Sequence, residues 1–245
     1  MKLAIMQPYF FPYIGYWQLV NAADRFVIYD DVKFIKRGWI NRNRILINGA
    51  PQYITVPLDG ASQNKRICDI AIHGAQPWQS KIVRSIEFAY GRSAFYSEIY
   101  PEIKRQICKD SLNLAEFLAA HLKGMVEFLG IDTEIVISSR AYRNSDLRGQ
   151  ERIIDICRRE QANAYINLPG GRDFYDTGGF RAANIDLMFL SSRISPYRQS
   201  TVKFVPNLSV IDALMEVGID GVVERLGEFD LEVAEQAVKK SSVAD

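Results

Sequence analysis

The first thirty residues constrain the fold more than any other part of the chain. Residues 3–6 (LAIM) are a short apolar run that predicts a buried strand, and residues 16–23 favour a helix. Residues 25–29 (RFVIY) are rich in β-branched and aromatic side chains, which predicts a second strand. Pro8 and Pro12 interrupt regular structure between the first strand and the helix. This order is a βαβ unit, and a parallel sheet is its usual consequence.

The rest of the chain continues to alternate between strands and helices. Asn48 and Gly49 lie between two apolar runs, which predicts a hairpin over residues 44–58. We predict further strands at residues 133–138, 164–167 and 186–190. We predict helices at residues 79–91, 111–129 (with Ser111 as its cap), 150–160, 180–183 and 209–217. The expected fold class is therefore α/β. We expect a Rossmann-like parallel sheet flanked by helices, with a small hairpin and helical appendage, in one domain spanning residues 1–245 and ending in a frayed tail at 239–245.

Composition and charge narrow the class of protein. The formal net charge is +1, which argues against a protein that binds nucleic acid by general electrostatic attraction. The three cysteines include no C-x-x-C pair, so we expect neither a disulfide framework nor a zinc ribbon, and a reducing compartment fits. The apolar start MKLAIM is too short for a secretory signal, and no apolar stretch reaches membrane-spanning length. We therefore predict a cytoplasmic protein that has no transmembrane segment and does not bind nucleic acid.

The loop after the first predicted strand is the first candidate site. In open α/β sheets, ligands bind outside the carboxyl ends of the strands and near helix N-termini. Aromatic rings in this loop offer stacking faces, its polar groups offer hydrogen bonds, and a glycine allows close backbone approach. The alternative is an aromatic mini-core that pins a proline loop. The predicted substrate-binding residues are Gln7, Pro8, Tyr9, Phe11, Tyr13, Gly15 and Tyr16.

A basic loop after the second predicted strand should lie on the same edge of the sheet. Residues 33–44 contain five lysines or arginines and no acidic residue, a composition that suits a phosphate or pyrophosphate. Asp30 and Asp31 precede this loop and could hold Mg²⁺ with substrate phosphates, although the sequence does not demand a metal. No cofactor is assigned, and ATP and Mg²⁺ are the candidates. The alternative is a solvated basic loop. The candidate catalytic residues are Asp31, Lys36 and Asp30, and the candidate substrate-binding residues are Arg37, Trp39, Asn41, Arg42 and Asn43.

Two later segments complete the set of candidates. The first follows the strand AYIN and could wrap an anionic group, with Gly170, Gly171, Arg172 and Tyr175 as binding residues. The second is a helix cap or a docking turn in its simpler interpretation, with Tyr197, Gln199, Asn207 and Ser209 as candidates. No nucleophile triad and no zinc-binding cluster is visible, so we assign no metal ligands. His121, one of two histidines, lies in an amphipathic pattern and is predicted to be structural.

Several of these segments resemble the WbqC-like family of bacterial proteins. They are MQPYFFPYIGYWQLV, DRFVIYDDVKFIKRGWINRNRIL, TVPL with SQNK, YINLPGGRDFYD and FVPNLSVIDALMEVG, which together extend over nearly the whole chain. The family's last helix usually ends in asparagine-glycine, whereas this chain has Glu216-Val217-Gly218. A second, weaker resemblance is to the start of the pantothenate synthetase family, in the nucleotidyltransferase-like α/β group. Its H-x-G-H motif corresponds here to residues 13–16, with tyrosines at the histidine positions.

The first resemblance implies a role in bacterial O-antigen, lipopolysaccharide or other surface-glycan biosynthesis, on a nucleotide-linked amino sugar. The implied reaction is acyl or aminoacyl (glycine) transfer to the sugar amine, by a transferase or an ATP-dependent ligase. Asp31 would be the base, and Lys36, Arg37 and Arg42 would hold the diphosphate. Two alternatives are a glycosyltransferase, against which the missing D-x-D motif argues, and a non-catalytic protein that binds nucleotide sugars.

Overall fold

The computed structural model describes residues 1–74 and 77–234. The helices are α1 (Ile14–Ala22), α2 (Trp78–Tyr90), α3 (Tyr96–Ile107), α4 (Leu114–Phe128), α5 (Gly149–Arg159), α6 (Thr177–Ala182) and α7 (Val210–Arg225). The strands are β1 (Lys2–Met6), β2 (Arg25–Ile28), β3 (Arg42–Ile47), β4 (Ala50–Thr55), β5 (Leu58–Asp59), β6 (Ala71–Ile72), β7 (Glu134–Val136), β8 (Ala164–Asn167), β9 (Asp186–Ser192) and β10 (Phe229–Val233). Short 3-10 turns lie at Ile67–Asp69, Ser139–Tyr142 and Pro169–Phe174. The tail predicted to fray, residues 239–245, lies outside the described residues.

In the described part of the chain, six strands form the central sheet in the order β10-β9-β8-β1-β2-β7. β1 pairs in parallel with β2 and β8, β2 with β7, and β8 with β9. The predicted βαβ unit and the α/β fold class are therefore confirmed. The sheet is mixed rather than wholly parallel, because β10 runs antiparallel to β9 at one edge. An antiparallel edge strand on an otherwise parallel sheet is a common arrangement.

The chain reverses its direction across the sheet at β1. The connection from β1 to β2 carries α1, which packs in the hydrophobic cluster on one face of the sheet. The connection from β8 to β9 carries α6, whose Phe180 packs in the separate cluster on the other face. Because these two connections leave β1 and β8 toward opposite faces, a crevice opens between the carboxyl ends of the two strands.

Local sequence signals account for most of the elements outside the sheet. The predicted hairpin is confirmed as β3 and β4, and its turn residues Asn48 and Gly49 both have positive φ, at 52° and 75°. The predicted cap of α4 is wrong, because Asn113 rather than Ser111 accepts the hydrogen bond from the Glu116 amide, at 3.1 Å. The sequence did not indicate α3, which contains Pro101 in its interior, a position that usually ends a helix.

The proline-aromatic loop between β1 and α1 is buried, and side chains from distant elements satisfy its backbone. The Asn43 side-chain amide, on β3, donates to the carbonyl oxygens of Phe10 and Phe11 at 3.1 and 2.8 Å. The Ser209 hydroxyl, at the start of α7, also donates to the Phe11 carbonyl, at 2.9 Å. Buried carbonyl groups need such partners, because an unpaired one costs about 1–3 kcal/mol. The loop is therefore fixed by both β3 and α7.

His121, on α4, supplies the matching acceptor for this loop. The Phe11 amide, in a left-handed conformation with φ 41°, donates to His121 Nε2 at 3.1 Å. Because Nε2 accepts this hydrogen bond, the ring is neutral and its proton is on Nδ1. Complete burial, with a smaller contribution from Lys109, lowers the pKa of His121 to about 3. The buried position and this backbone contact support a structural role for His121.

His121 makes the stability of the protein depend on pH. Its pKa falls from 6.5 in the unfolded chain to about 3 in the folded one, so the unfolded state binds the additional proton between these values. We expect the free energy of unfolding to fall by up to about 1.4 kcal/mol per pH unit below pH 6.5 from this group. Urea unfolding at pH 7, 5.5 and 4.5 measures this slope. His121→Gln should flatten this slope relative to the wild type. Equal slopes in the variant and the wild type would contradict the assignment.

Candidate functional site

The crevice at the carboxyl ends of β1 and β8 is a cavity of about 780 Å³. Its floor and walls come from the ends of the strands, from the loops that follow them, and from the first residue of α5. Aromatic and aliphatic side chains and glycine backbone dominate it. Its lining consists of Met6, Tyr9, Tyr13, Gly15, Gly149, Asn167, Leu168, Pro169, Gly170, Gly171, Phe174, Tyr175, Leu190 and Ser192. Six of the residues predicted from sequence therefore lie together here: Tyr9, Tyr13, Gly15, Gly170, Gly171 and Tyr175.

Two tyrosines of the proline-aromatic loop form one wall of the crevice. Tyr9 and Tyr13 are half-buried, and the Tyr9 ring also packs on the buried ring of Tyr16, with centroids 5.2 Å apart. Burial, with a smaller contribution from Tyr13, raises the pKa of Tyr9 to about 12, and burial raises the pKa of Tyr13. Both hydroxyl groups are therefore protonated at neutral pH and can donate hydrogen bonds to a ligand.

The other aromatic residues of this loop belong to the core instead. Phe11 and Tyr16 are fully buried, and the Tyr16 hydroxyl donates to the Gln7 carbonyl at 3.0 Å. Pro8 is buried as well, and the half-buried Gln7 does not line the crevice. These buried residues form the aromatic mini-core that was the alternative to a binding site. For Tyr9 and Tyr13, which face the crevice, ligand binding stays a prediction.

The opposite wall is the turn that follows β8. Asn167, the last residue of β8, accepts a hydrogen bond from the Leu168 amide on its side-chain oxygen, at 2.8 Å. A Cβ atom at Gly171 would lie 2.5 Å from the Asn167 side-chain nitrogen, so only glycine leaves this amide in place. A Cβ atom at Gly170 would meet nothing within 4 Å. Backbone is thus exposed to a ligand at Gly170, and Asn167 is fixed beneath it.

The third side of the crevice is the N-terminus of α5. Gly149 begins this helix with φ 50° and lines the cavity. The preceding residue, Arg148, makes no side-chain capping hydrogen bond. The first amide groups of α5 thus lack a side-chain partner, and such groups carry a partial positive charge. Phe174 stands at the rim with 77% of its surface exposed.

Asp30 and Asp31 do not face this crevice. Arg152, on α5, donates to both carboxylate oxygens of Asp31 at 2.8 and 2.6 Å, and both side chains are only 4% exposed. Ser138 donates to the two oxygens of Asp30 at 2.8 and 2.9 Å, and Ser139 contacts both carboxylates. This network ties the end of β2 to the turn after β7. It corrects the expectation that one of these carboxylates faces a ligand.

The contacts of Asp30 and Asp31 also decide whether these carboxylates could bind Mg²⁺, one of the candidate cofactors. The oxygens of Asp30 and Asp31 are already paired with serine and arginine donors, so these carboxylates do not fit a magnesium site. Over residues 1–74 and 77–234, no group of three or more His, Cys, Asp or Glu side chains is arranged to hold a metal ion.

Within the same ranges, no helix has the length and apolar composition of a membrane span.

The basic loop packs largely on the β3–β4 hairpin. Arg42 stacks over the Tyr53 ring at 4.2 Å and donates to the carbonyls of Arg37 and Gly38. Trp39 lies 6.4 Å from the same ring, between centroids. The Asn41 side chain donates to the Val56 carbonyl at 2.8 Å, and Asn43 is the buried residue that holds the proline-aromatic loop. Lys36 and Arg37 are exposed. The loop is thus partly structural, and no member of it lines the crevice.

The remaining candidates divide between a second pocket and structural positions. Tyr197 and Asn207 line an adjoining pocket of about 220 Å³. Gln199 is buried and donates to Asp212 at 2.8 Å, and Ser209 caps α7. Arg172 forms an ion pair with Glu232 on β10, at 2.5 Å.

Sequence reasoning missed several residues of the crevice. Asn167 and Ser192 are polar residues at the carboxyl ends of β8 and β9, which is the signal that would have found them. Gly149 opens α5, but the predicted helix began one residue later. Met6 and Leu190 are ordinary strand residues, and only the order of the strands in the sheet brings them to this cavity.

A family model matches most of this architecture. The model of the WbqC-like protein family matches residues 7–224, from the first loop to the end of α7. The chain belongs to this family. It is 30% identical over 222 residues to the uncharacterized protein Rv1507c of Mycobacterium tuberculosis. The aligned region covers 89% of this chain and 95% of that protein. No solved structure matches the chain significantly. The resemblance seen in the sequence segments is thereby confirmed at the level of the family.

The buried ion pair of this WbqC-like chain gives a direct test of the role of Asp31. In Asp31→Asn the guanidinium of Arg152 loses its buried anion, so we expect the free energy of unfolding to fall by about 3–5 kcal/mol. Urea unfolding measures this loss. The double variant Asp31→Asn/Arg152→Met should lose less than the sum of the single variants, because the two side chains act as a pair. Wild-type stability in Asp31→Asn would contradict this account.

Proposed function

We propose that the crevice binds a nucleotide-linked amino sugar and that the protein transfers an acyl or aminoacyl group to the sugar amine, in the synthesis of a bacterial surface glycan. The observation that carries this proposal is the crevice itself, at the point where the sheet reverses direction. It joins aromatic rings, exposed glycine backbone and Gly149, the first residue of a helix that has no side-chain cap, in one cavity. Rings suit a base and a sugar, and amide groups suit phosphates.

Different parts of the ligand would contact different regions of the crevice. The diphosphate would lie at Gly149, at the start of α5, and along the open backbone at Gly170, because helix N-termini and backbone N–H groups attract an anion. Phe174 at the rim offers a face for the base. Tyr9 and Tyr13 would donate hydrogen bonds to the sugar. This arrangement replaces the diphosphate site predicted at Lys36, Arg37 and Arg42.

The proposed reaction uses an activated acyl donor, with the acyl carbon attached to a leaving group such as AMP or a thiol. The sugar amine forms a C–N bond to the acyl carbon, the bond between that carbon and the leaving group breaks, and the amine loses one proton to water or to the leaving group. Asp31 is held by Arg152 and is not the base in this scheme. The protein acts by bringing the two reactants together, which is itself a large source of rate enhancement.

One observation favours a second candidate, a protein that binds a nucleotide sugar without catalysis. The lining of the crevice contains tyrosines but no carboxylate, histidine or lysine. The two candidates are separated by incubating the protein with a panel of UDP- and dTDP-linked amino sugars, glycine or short carboxylic acids, ATP and Mg²⁺, and measuring the sugars by mass spectrometry. An acyl or glycyl mass increase supports transfer. Binding without any mass change supports the second candidate, and release of UDP or dTDP from the sugar when a glycan acceptor is added would favour a glycosyltransferase.

Phe174 provides the sharpest binding test. We expect Phe174→Ala to weaken nucleotide-sugar binding by about 5- to 150-fold, because stacking of one base on an aromatic ring contributes about 1–3 kcal/mol. Its stability should be unchanged, because the side chain is already 77% exposed. Thermal shift and calorimetry measure the two effects.

The matched control is Phe88→Ala, at an aromatic side chain that is 69% exposed on α2 and does not line the crevice. Its binding constant should equal that of the wild type. Equal affinities in both variants would remove Phe174 from the proposed site.

A further inference from the structure

A smaller pocket adjoins the crevice and shares two of its residues. We name it the annex pocket; it is formed chiefly by Ile14, Ile194, Phe204, Leu208, Tyr13 and Tyr197. Tyr13 and Ser192 line both cavities, so the annex pocket and the crevice adjoin at these two residues.

The lining of the annex pocket is mostly apolar, its polar side chains are Tyr13, Ser192, Tyr197 and Asn207, and among the described residues it contains no charged side chain. Its most buried polar group, the Tyr197 hydroxyl, is already committed, because it donates to Asp212 at 2.8 Å. An ammonium group in this pocket would lose its water without gaining a counter-ion, which is a costly transfer. The chemistry of the walls therefore selects an apolar group and disfavours a charged one such as the glycyl ammonium.

The back wall of the annex pocket is fixed in place. Asp212 is fully buried and accepts hydrogen bonds from Tyr197 at 2.8 Å, from Gln199 at 2.8 Å and from Tyr90 at 2.9 Å. The Tyr197 ring also packs edge-on against Phe204, with centroids 5.2 Å apart. Because three side chains, from α2 and from the segment after β9, hold this carboxylate, the wall resists collapse into the pocket when it is empty. Such a preformed cavity is a feature of binding sites.

The size of the pocket limits its occupant. Its volume is about 220 Å³, and an apolar cavity of about 150 Å³ is already large enough to hold benzene. A short acyl chain with no more carbon atoms than benzene is therefore accommodated, whereas a whole nucleotide is too large.

We propose that the annex pocket holds the short apolar acyl chain that is transferred, with its carbonyl group beside Tyr13 at the entrance to the crevice. This inference rests on the proposed function for the identity of the reaction, and it narrows the donor from acyl or aminoacyl to a short apolar acyl group.

Primary aliphatic amides, from acetamide to hexanamide, test the pocket without any nucleotide. Methyl NMR signals of Ile14 and Leu208 report on its walls, and those of Ile47, in a separate groove, serve as the control. We expect shifts at the first two residues only. The affinity should rise about fourfold with each added methylene until the pocket is full, which corresponds to about 0.8 kcal/mol per buried group. Propanamide should bind and glycinamide, nearly the same in shape but charged, should not.

Two half-buried residues allow the pocket to be resized. Phe204→Ala should extend the rising part of the series by at least one carbon atom, and Ile194→Trp should weaken butanamide binding at least tenfold. The absence of shifts at Ile14 and Leu208, equal binding of glycinamide, or an unchanged series in both variants would overturn the inference. If the amides do not bind while nucleotide sugars still bind, only this inference is contradicted. If the amides bind but nucleotide sugars do not, only the proposed function is contradicted.

Discussion

The structure depends on the hydrogen bonds that hold the backbone of the loop between β1 and α1. Asn43 from β3, His121 from α4 and Ser209 from α7 all bond to the backbone at Phe10 and Phe11. Three elements that are far apart in the chain are thereby joined at one buried segment. Loss of Asn43 would leave the Phe10 carbonyl without its partner, and loss of His121 would do the same to the Phe11 amide, which is more costly than the loss of an average hydrogen bond.

This loop also explains how a buried segment can contribute to an open site. Fixing one side of the loop in the core determines where its other side points, so Tyr9 and Tyr13 stand at the crevice in set positions. A binding surface whose groups are already positioned loses little conformational entropy when a ligand binds. The core packing of Phe11 and Tyr16 and the proposed recognition by Tyr9 and Tyr13 are therefore two consequences of the same local structure.

Charge is used differently at the two halves of this sheet edge. At the ends of β2 and β7, Asp30 and Asp31 are paired with Ser138, Ser139 and Arg152. These contacts satisfy charges that would otherwise be buried alone. At the ends of β1 and β8 the lining is aromatic and glycine-rich, and its ionisable side chains within residues 1–74 and 77–234 are tyrosines. The proposed chemistry therefore relies on positioning and hydrogen-bond donation rather than on a carboxylate.

The sequence alone determined the features that depend on neighbouring residues. Local periodicity and turn chemistry predicted the βαβ start, the Asn48-Gly49 hairpin and the edge of the sheet on which a ligand site should lie. The segments that resemble the family were also visible in the sequence. Only the tertiary structure decided which residues share the crevice, because the order of the strands places β8 beside β1 across more than 150 residues of chain. It also decided that Asp31 is a structural partner, since nothing near Asp31 in the chain indicates Arg152. Side-chain type shows what a residue can do, and the groups brought to it by folding decide which of these it does.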